Sequence, residues 1–350
     1  MRVLLIYQSC GNIDASEDPM PFFKNLSKNT IKGSLNVSVL GGQTPNSEWE
    51  LLTNNSMAFM PFRSIPYQQY ISKTSPSLAN ILKAQNYSTD AIHSWYGSGY
   101  RRNVVYPLLG FDKFTSIEKM SNLDYIRTYP SDLSTYEELI KEYENRNQSK
   151  NFFNFTITMQ NHSGYDIPGM ESTVFVGDDH EYPRLEQYLT LIKYSDSALE
   201  YLINYFSNVD KPTVILFYGD HQPPYLDDAF YDNLDTHPEN GYITPFVIWA
   251  NYDIPSQSID NTSLNYLSTL LLDTAGLKVS PYMEFLRNLE KSVPVITGTG
   301  YTDVYGKQYS FDEDSPYDDL LNDYRILQYN NVFDYKNRVN AVFSVPESKL

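Results

Sequence analysis

The chain has 350 residues, with 26 Lys+Arg against 43 Asp+Glu and a formal net charge of −17. That length suits one large α/β domain, or a domain with an appendage, and 41% hydrophobic residues exclude wholesale disorder. The acidic balance argues against nucleic acid and against resting on an anionic membrane through a basic face, so an anionic substrate has to be held by a few local cations or a metal.

Val3-Leu4-Leu5-Ile6-Tyr7 predicts a buried strand almost at the first residue, and so abrupt a start carries the expectation that something upstream was removed. The run is too short for a signal-peptide core, and 214–218 is too short to cross a bilayer, so the chain as written is expected to be soluble. Cys10, the one cysteine, excludes an intramolecular disulfide and a zinc site of several thiolates. Thr44-Pro45-Asn46-Ser47-Glu48 predicts a helix start, with an N-cap hydroxyl, Pro at the first helical position and an acid in the first turn. Ser75-Pro76-Ser77-Leu78 opens another, with Leu78, Ile81 and Leu82 on one face. Residues 91–93 end a short strand, and 152–158 read as a further one. The strongest helical pattern runs over 185–206, with Leu185, Leu189, Ile192, Leu199, Leu202 and Phe206 at helical spacing. A second buried strand at 213–218 ends in Gly219-Asp220-His221; a strand at 246–249 and a helix at 264–275, closed by Gly276, follow. This alternation predicts an α/β fold with a mostly parallel central sheet and helices on both faces. Residues 1–280 form the expected main domain, and 281–350, rich in Asp, Tyr and Gly, an extension packed on it. The 31 tyrosines are read first as packing, and second as the lining of a carbohydrate or polar-lipid cleft.

In an open α/β sheet, ligands collect beyond the carboxyl ends of the strands. Gln8 follows the first predicted strand and Asp220-His221 the one at 213–218. A carboxylate beside an imidazole suits a divalent cation, although a capping Asp and a surface His are the commoner reading of that dipeptide alone. Thr44 is a cap or a nucleophile, since helix N-terminal amides stabilise a phosphate arriving there, and Gly41-Gly42 let the backbone come close. The loop from His93 to Arg102 joins an imidazole, aromatic rings and two guanidiniums into a candidate anion pocket. His162 follows the strand at 152–158. Weak signals that gather on one sheet edge favour a functional reading.

The motifs Gly-Gly-Gln-Thr-Pro-Asn-Ser-Glu-Trp-Glu (41–50), Asn-Ser-Met-Ala-Phe (55–59), Ile-His-Ser-Trp-Tyr-Gly-Ser-Gly-Tyr-Arg-Arg (92–102), Tyr-Pro-Leu-Leu-Gly-Phe-Asp (106–112), Thr-Met-Gln-Asn-His (158–162) and Tyr-Gly-Asp-His (218–221) follow one another in order. In this set the chain resembles, over roughly residues 1–280, the extracytoplasmic catalytic domain of lipoteichoic acid synthase-like phosphoglycerol transferases, in the sulfatase/alkaline phosphatase superfamily. The stretch Tyr324 to Tyr329 looks like the extension of some relatives.

The resemblance implies roles for particular residues. Thr44 is then the nucleophile and a metal contact; Asp220 and His221 are further ligands of one divalent cation, typically manganese, with magnesium an alternative. His93, Arg102 and His162 hold the glycerophosphate, and Tyr100 stands where relatives often carry Trp. Arg101 has no implied role. Gln8 stands where the family has a metal-binding Glu, and Ser9 matches the usual following Ser. A tolerated exchange, a naturally inactive relative and a substitution that blocks turnover remain open. The implied reaction moves glycerophosphate from a phosphatidylglycerol-like lipid through Thr44 to a growing polymer or a glycan. Phosphoethanolamine transfer, hydrolysis of a phosphate or sulfate ester, and glycerophosphate binding without turnover are the alternatives. Sulfatases proper use Cys or Ser in a Cys/Ser-x-Pro-x-Arg setting, which Thr44-Pro45-Asn46 lacks. The implied setting is the outer face of a cell membrane, with the tether left off this chain.

Overall fold

The computed structural model describes residues 15–177, 180, 182–224, 226–227 and 241–346. The strand expected at 3–7, Gln8 and Cys10 lie outside the described residues.

Helix α1 (Pro21–Asn25) is held at its start by Asp196, whose carboxylate accepts from the Phe22 and Phe23 amides at 2.8 and 2.9 Å. Strand β1 (Thr30–Asn36) follows. Its Gly33 is required by contact: a Cβ there would sit 1.7 Å from the Ile259 carbonyl oxygen. Helix α2 (Thr44–Thr53) carries Pro45 in its first turn as expected, yet Gln43 occupies the cap at φ 62° with no side-chain capping bond. Thr44 is therefore inside the helix and its hydroxyl is not the cap. Helix α3 (Pro66–Gln69) is one turn, and α4 (Leu78–Lys83) is capped by Ser77 and buries Leu78, Ile81 and Leu82.

Strand β2 (Tyr87–His93) is linked through helix α5 (Arg102–Leu108) to β3 (Lys113–Ser116), which pairs parallel with it. After the hairpin of β4 (Tyr125–Ile126) and β5 (Tyr129–Pro130) and helix α6 (Asp132–Glu144), β6 (Asn151–Ile157) joins the other side of β2. That pairing is also parallel, with His93 opposite Ile157, so both strands end on one edge. The long helix α7 (Pro183–Ser207) buries all six expected apolar positions.

Strands β7 (Val214–Tyr218), β8 (Ile243–Ala250) and β9 (Gln257–Ser263) join β1 in the order β7-β8-β1-β9. Here β8 runs antiparallel to both β7 and β1, while β1 and β9 are parallel. The result is an α/β fold with mixed strand directions: among the described residues β3-β2-β6 form a parallel sheet, and in the separate sheet β7-β8-β1-β9 antiparallel pairs surround β8. Strand β7 pairs only with β8 among the described residues and is half-buried there.

Helix α8 (Leu264–Thr274) ends at Gly276, whose φ of 65° stops it as expected. Beyond lie α9 (Pro281–Glu290), the small sheet of β10 (Val295–Thr297), β11 (Gly300–Thr302) and β12 (Gln308–Tyr309), and α10 (Asp318–Val332). Their core is rich in tyrosine: Tyr266, Tyr282, Tyr301, Tyr309 and Tyr324 pack together. Buried hydroxyls need partners. Tyr282 and Tyr324 both donate to the Asn54 carbonyl, at 3.1 and 2.8 Å, closing the C-terminal end of α2. Gln328 brackets Ser56, accepting from its amide at 2.7 Å and donating to its carbonyl at 2.9 Å. Part of the tyrosine surplus is thus packing with a polar anchor. Among the described residues no helix is long and apolar enough to cross a membrane.

Candidate active site

Thr44 faces the loop after β7. Its hydroxyl donates to Asp220 Oδ2 at 2.8 Å and lies 3.3 Å from His221 Nε2. One turn along the helix face, Ser47 Oγ donates to the Asp220 carbonyl at 2.6 Å, so α2 grips the loop twice. His221 is buried, and its Nδ1 lies 2.8 Å from the Gln222 carbonyl. A carbonyl only accepts, so Nδ1 carries a proton, and Nε2 faces Thr44 and Asp220. Nε2 and Oδ2 are 3.2 Å apart. Gly41, at φ 71°, donates to the Gln222 carbonyl at 3.1 Å and keeps the approach to this loop narrow.

A hydroxyl, a carboxylate and an imidazole whose far nitrogen is fixed by a carbonyl form a donor set that fits a divalent cation. Among the described residues no group of three or more His, Cys, Asp and Glu side chains gathers. A cation here would rest on Thr44, Asp220, His221 and a ligand from elsewhere. Gln8, the expected fourth, is outside the described residues.

The second wall begins at Glu48, on the same face of α2 as Thr44. Arg102 donates through Nε to Glu48 Oε1 and Oε2 at 3.1 and 3.2 Å, and through Nη2 to Oε1. Tyr106 adds a hydrogen bond to Oε2 at 2.8 Å, and Arg102 Nη1 reaches the Gly99 carbonyl at 3.2 Å. Only 3% of the Arg102 side chain and 1% of the Glu48 side chain are exposed. Burial works against the guanidinium charge, but Glu48, helped by Tyr106 and Tyr67, outweighs it and holds Arg102 firmly protonated. The cation expected to hold glycerophosphate is thus already paired, and braces α2 against the turn before α5. Tyr100 lies under it, with the guanidinium carbon 5.4 Å from the ring centroid. Tyr100 and Arg101 both have positive φ, 51° and 61°, a strained pair at the site.

His93, at the end of β2, is buried, and its Nδ1 has no partner among the described residues. Burial first, and then the charge of Arg102, push its pKa well down, so it is neutral at pH 7. An unpaired nitrogen this deeply buried is an exception to the rule that buried polar atoms find partners.

His162, in the loop after β6, is exposed. Its Nδ1 lies 2.7 Å from the Ser163 carbonyl and 3.0 Å from the Tyr129 hydroxyl, which leaves Nε2 open. Arg127 holds this loop from below, donating to the carbonyls of Gln160 at 2.7 Å, His162 at 2.9 Å, and Gly164. Ser195 takes hydrogen bonds from Gln160 and Asn161 at 3.1 and 2.7 Å and passes its own to Asp132 at 2.6 Å.

Thr44, Asp220 and His221 therefore touch; Tyr100 and Arg102 stack beside Glu48; His93 and His162 stand on the shared edge of β2 and β6. Sequence reasoning missed Glu48, Ser47, Tyr106, Arg127 and Tyr129. Glu48 carried a usable signal, four residues after Thr44 and hence on the same helix face. Arg127 and Tyr129 carried none.

Residues 3–277 match the family described as Sulfatase. A putative cyclic beta-1,2-glucan modification protein of Rhizobium meliloti is 31% identical over 337 residues, covering 92% of this chain and 52% of that protein. Lipoteichoic acid synthase 1 of Bacillus subtilis is 28% identical over 194 residues, 51% of this chain and 28% of its own length. The chain spans about half the length of the first curated relatives it matches. Among solved structures, the Streptococcus pyogenes phosphoglycerol transferase GacH in complex with sn-glycerol-1-phosphate superposes with a TM-score of 0.75 at 24% identity, covering 97% of this chain and 86% of that one. The lipoteichoic acid synthase LtaP from Listeria monocytogenes gives 0.68 at 20% identity, covering 93% and 90%. At these identities both structures speak for the fold.

Proposed function

The chain belongs to the sulfatase family, in the alkaline phosphatase superfamily, and on that footing we propose that it is a metal-dependent phosphoglycerol transferase with Thr44 as nucleophile. The observation that carries this reading is the Thr44 hydroxyl, which lies in the first turn of a helix yet is directed at Asp220 and His221 instead of capping. The names of the relatives support transfer of a phosphoryl-type group, and GacH was solved with sn-glycerol-1-phosphate. The donor proposed is an anionic phospholipid of the phosphatidylglycerol type. A glycan acceptor is favoured over a growing polymer by the relative named for glucan modification. The reaction is placed at the outer face of a membrane.

Thr44, Asp220 and His221, with Gln8 as the proposed fourth, would hold a divalent cation, manganese by resemblance. Such a cation lowers the pKa of a bound hydroxyl and draws charge from a phosphoryl oxygen. The residues of the chain do the rest. Asp220 Oδ2, already 2.8 Å from the hydroxyl, holds its proton as Thr44 Oγ1 attacks phosphorus. The new Oγ1–P bond forms as the bond to the diacylglycerol oxygen breaks, that oxygen taking a proton from solvent while Asp220 returns the Thr44 proton to solvent. The amides at the start of α2 favour the negative charge gathered there. His93 and the open Nε2 of His162 bind the glycerophosphate oxygens or the entering acceptor hydroxyl. Attack by that hydroxyl then releases Thr44, so one difficult displacement becomes two.

Incubation with phosphatidylglycerol and manganese, followed by mass spectrometry of the peptide holding Thr44, tests the reading. A glycerophosphate adduct is expected in the wild-type chain and none in Thr44→Ala, and near-normal turnover by Thr44→Ala would refute the nucleophile. Gln8→Glu, run alongside, is expected to raise metal content and turnover; a gain in neither would remove Gln8 from the ligand set.

A further inference from the structure

Phe62 is the most exposed large apolar side chain among the described residues, at 90%. It forms the tip of a tight turn, closed by the Ser64 amide donating to the Pro61 carbonyl at 3.0 Å, with Arg63 at φ 60°. The Arg63 guanidinium carbon lies 5.2 Å from the Phe62 ring centroid. The base of the turn is fixed to the candidate active site: Ser64 is buried, and its carbonyl accepts from Asn46 Nδ2 at 3.1 Å, two residues beyond Thr44. Helix α3, which follows, is fastened to the other wall by Arg101, whose Nη1 donates to the Gln68 carbonyl at 3.0 Å. Arg101 adjoins Tyr100 and Arg102, and on that same loop Tyr96 is 52% exposed. Phe62, Arg63, Arg101 and Tyr96 thus form an exposed rim on two turns, one tied to α2 through Asn46 and the other to α3 through Arg101. Neither Arg63 nor Arg101 has a carboxylate partner among the described residues, although the chain carries a net charge of −17.

An exposed phenyl ring beside guanidiniums that no carboxylate neutralises among the described residues is the chemistry of an interfacial anchor. Phenylalanine offers sugar hydroxyls no hydrogen bond, whereas guanidiniums match lipid phosphates, so a lipid surface fits better than a glycan. We propose that this rim docks on an anionic lipid surface, with Phe62 entering the acyl boundary and Arg63 and Arg101 meeting the phosphates. The inference rests on the lipid-donor reading above and adds how a headgroup reaches Thr44 while its acyl chains stay in the bilayer. The acidic remainder of the surface is repelled, which leaves this face to approach.

Two readouts test it, one independent of turnover. Phe62→Trp, mixed with phosphatidylcholine/phosphatidylglycerol vesicles bearing brominated acyl chains, is expected to be quenched beyond the wild-type chain. Adding Arg63→Glu and Arg101→Glu is expected to abolish the extra quenching. Phe62→Ala is expected to slow turnover of vesicle-embedded phosphatidylglycerol about tenfold while leaving a short-chain, monomeric phosphatidylglycerol unaffected. Absent quenching, quenching that survives the charge reversals, or equal losses on both substrates would each overturn the proposal. A change in emission with soluble β-glucan and no bromolipid quenching would reassign the rim to a glycan. Should the wild-type chain turn over neither substrate while the quenching holds, the transfer reading fails and the lipid contact stands.

Discussion

Glu48→Gln changes one charge and almost no volume, and its cost follows from the burial of its partner. Glu48 and Arg102 are 1% and 3% exposed, and the carboxylate neutralises a guanidinium that water does not reach. The amide keeps an acceptor for Tyr106 and for one Arg102 nitrogen, but leaves the buried positive charge without an anion. Removing one member of a buried pair costs about 3–5 kcal/mol, a large share of the roughly 5–15 kcal/mol that holds a domain folded. Urea unfolding of Glu48→Gln, Arg102→Met and the double variant closes a cycle. Glu48→Gln is expected to lose about 3–5 kcal/mol, and the double variant clearly less than the sum, because the orphaned charge departs with its side chain. A loss below about 1 kcal/mol for Glu48→Gln, the value of an exposed ion pair, would refute the buried coupling.

Burial pushes the Glu50 carboxyl up from 4.5 to about 7, despite hydrogen bonds from the Met57 amide, Ser38 and Ser56. A carboxyl raised on folding stabilises fully below its unfolded pKa, and that contribution fades as pH climbs through about 7. Relative to the wild-type chain, Glu50→Gln should therefore gain up to about 3 kcal/mol between pH 4.5 and 8 in denaturant titrations, and parallel curves would contradict it. Arg127→Met removes the donors that hold three carbonyls of the His162 loop. Turnover should fall roughly 10- to 100-fold with little change in Thr44 labelling; an unchanged rate would show that the loop keeps its place without them.

Strands and helices were legible where one pattern dominated. The apolar runs of β6, β7 and β8, the Ser77 cap before α4 and the apolar stripe of α7 stand in the residues themselves. Strand β9, Gln257–Ser263, was not legible, because an exposed edge strand needs no apolar face and reads as a polar loop. Strand direction was equally hidden: β8 carries the apolar run of a buried parallel strand yet is antiparallel to both neighbours. At the site, the resemblance pointed to Thr44, Asp220 and His221, whereas the local pattern alone left Thr44 as a cap or a nucleophile. Its real partner lies 176 residues away, a distance no local pattern spans. Arg102 shows the opposite gap: its charge was visible, and its neutralisation by Glu48 was not.

The bracing of α2 carries a consequence for how such a chain diversifies. Every residue from Pro45 to Thr53 is buried, Asp220 and Arg102 hold one end, and Tyr282 and Tyr324 pin the other. A helix clamped along its whole length cannot shift to suit a new substrate without disturbing both cores. Change in substrate range has to be absorbed by exposed positions such as 61–63, 96, 98 and 101, which can vary while the nucleophile stays where it is.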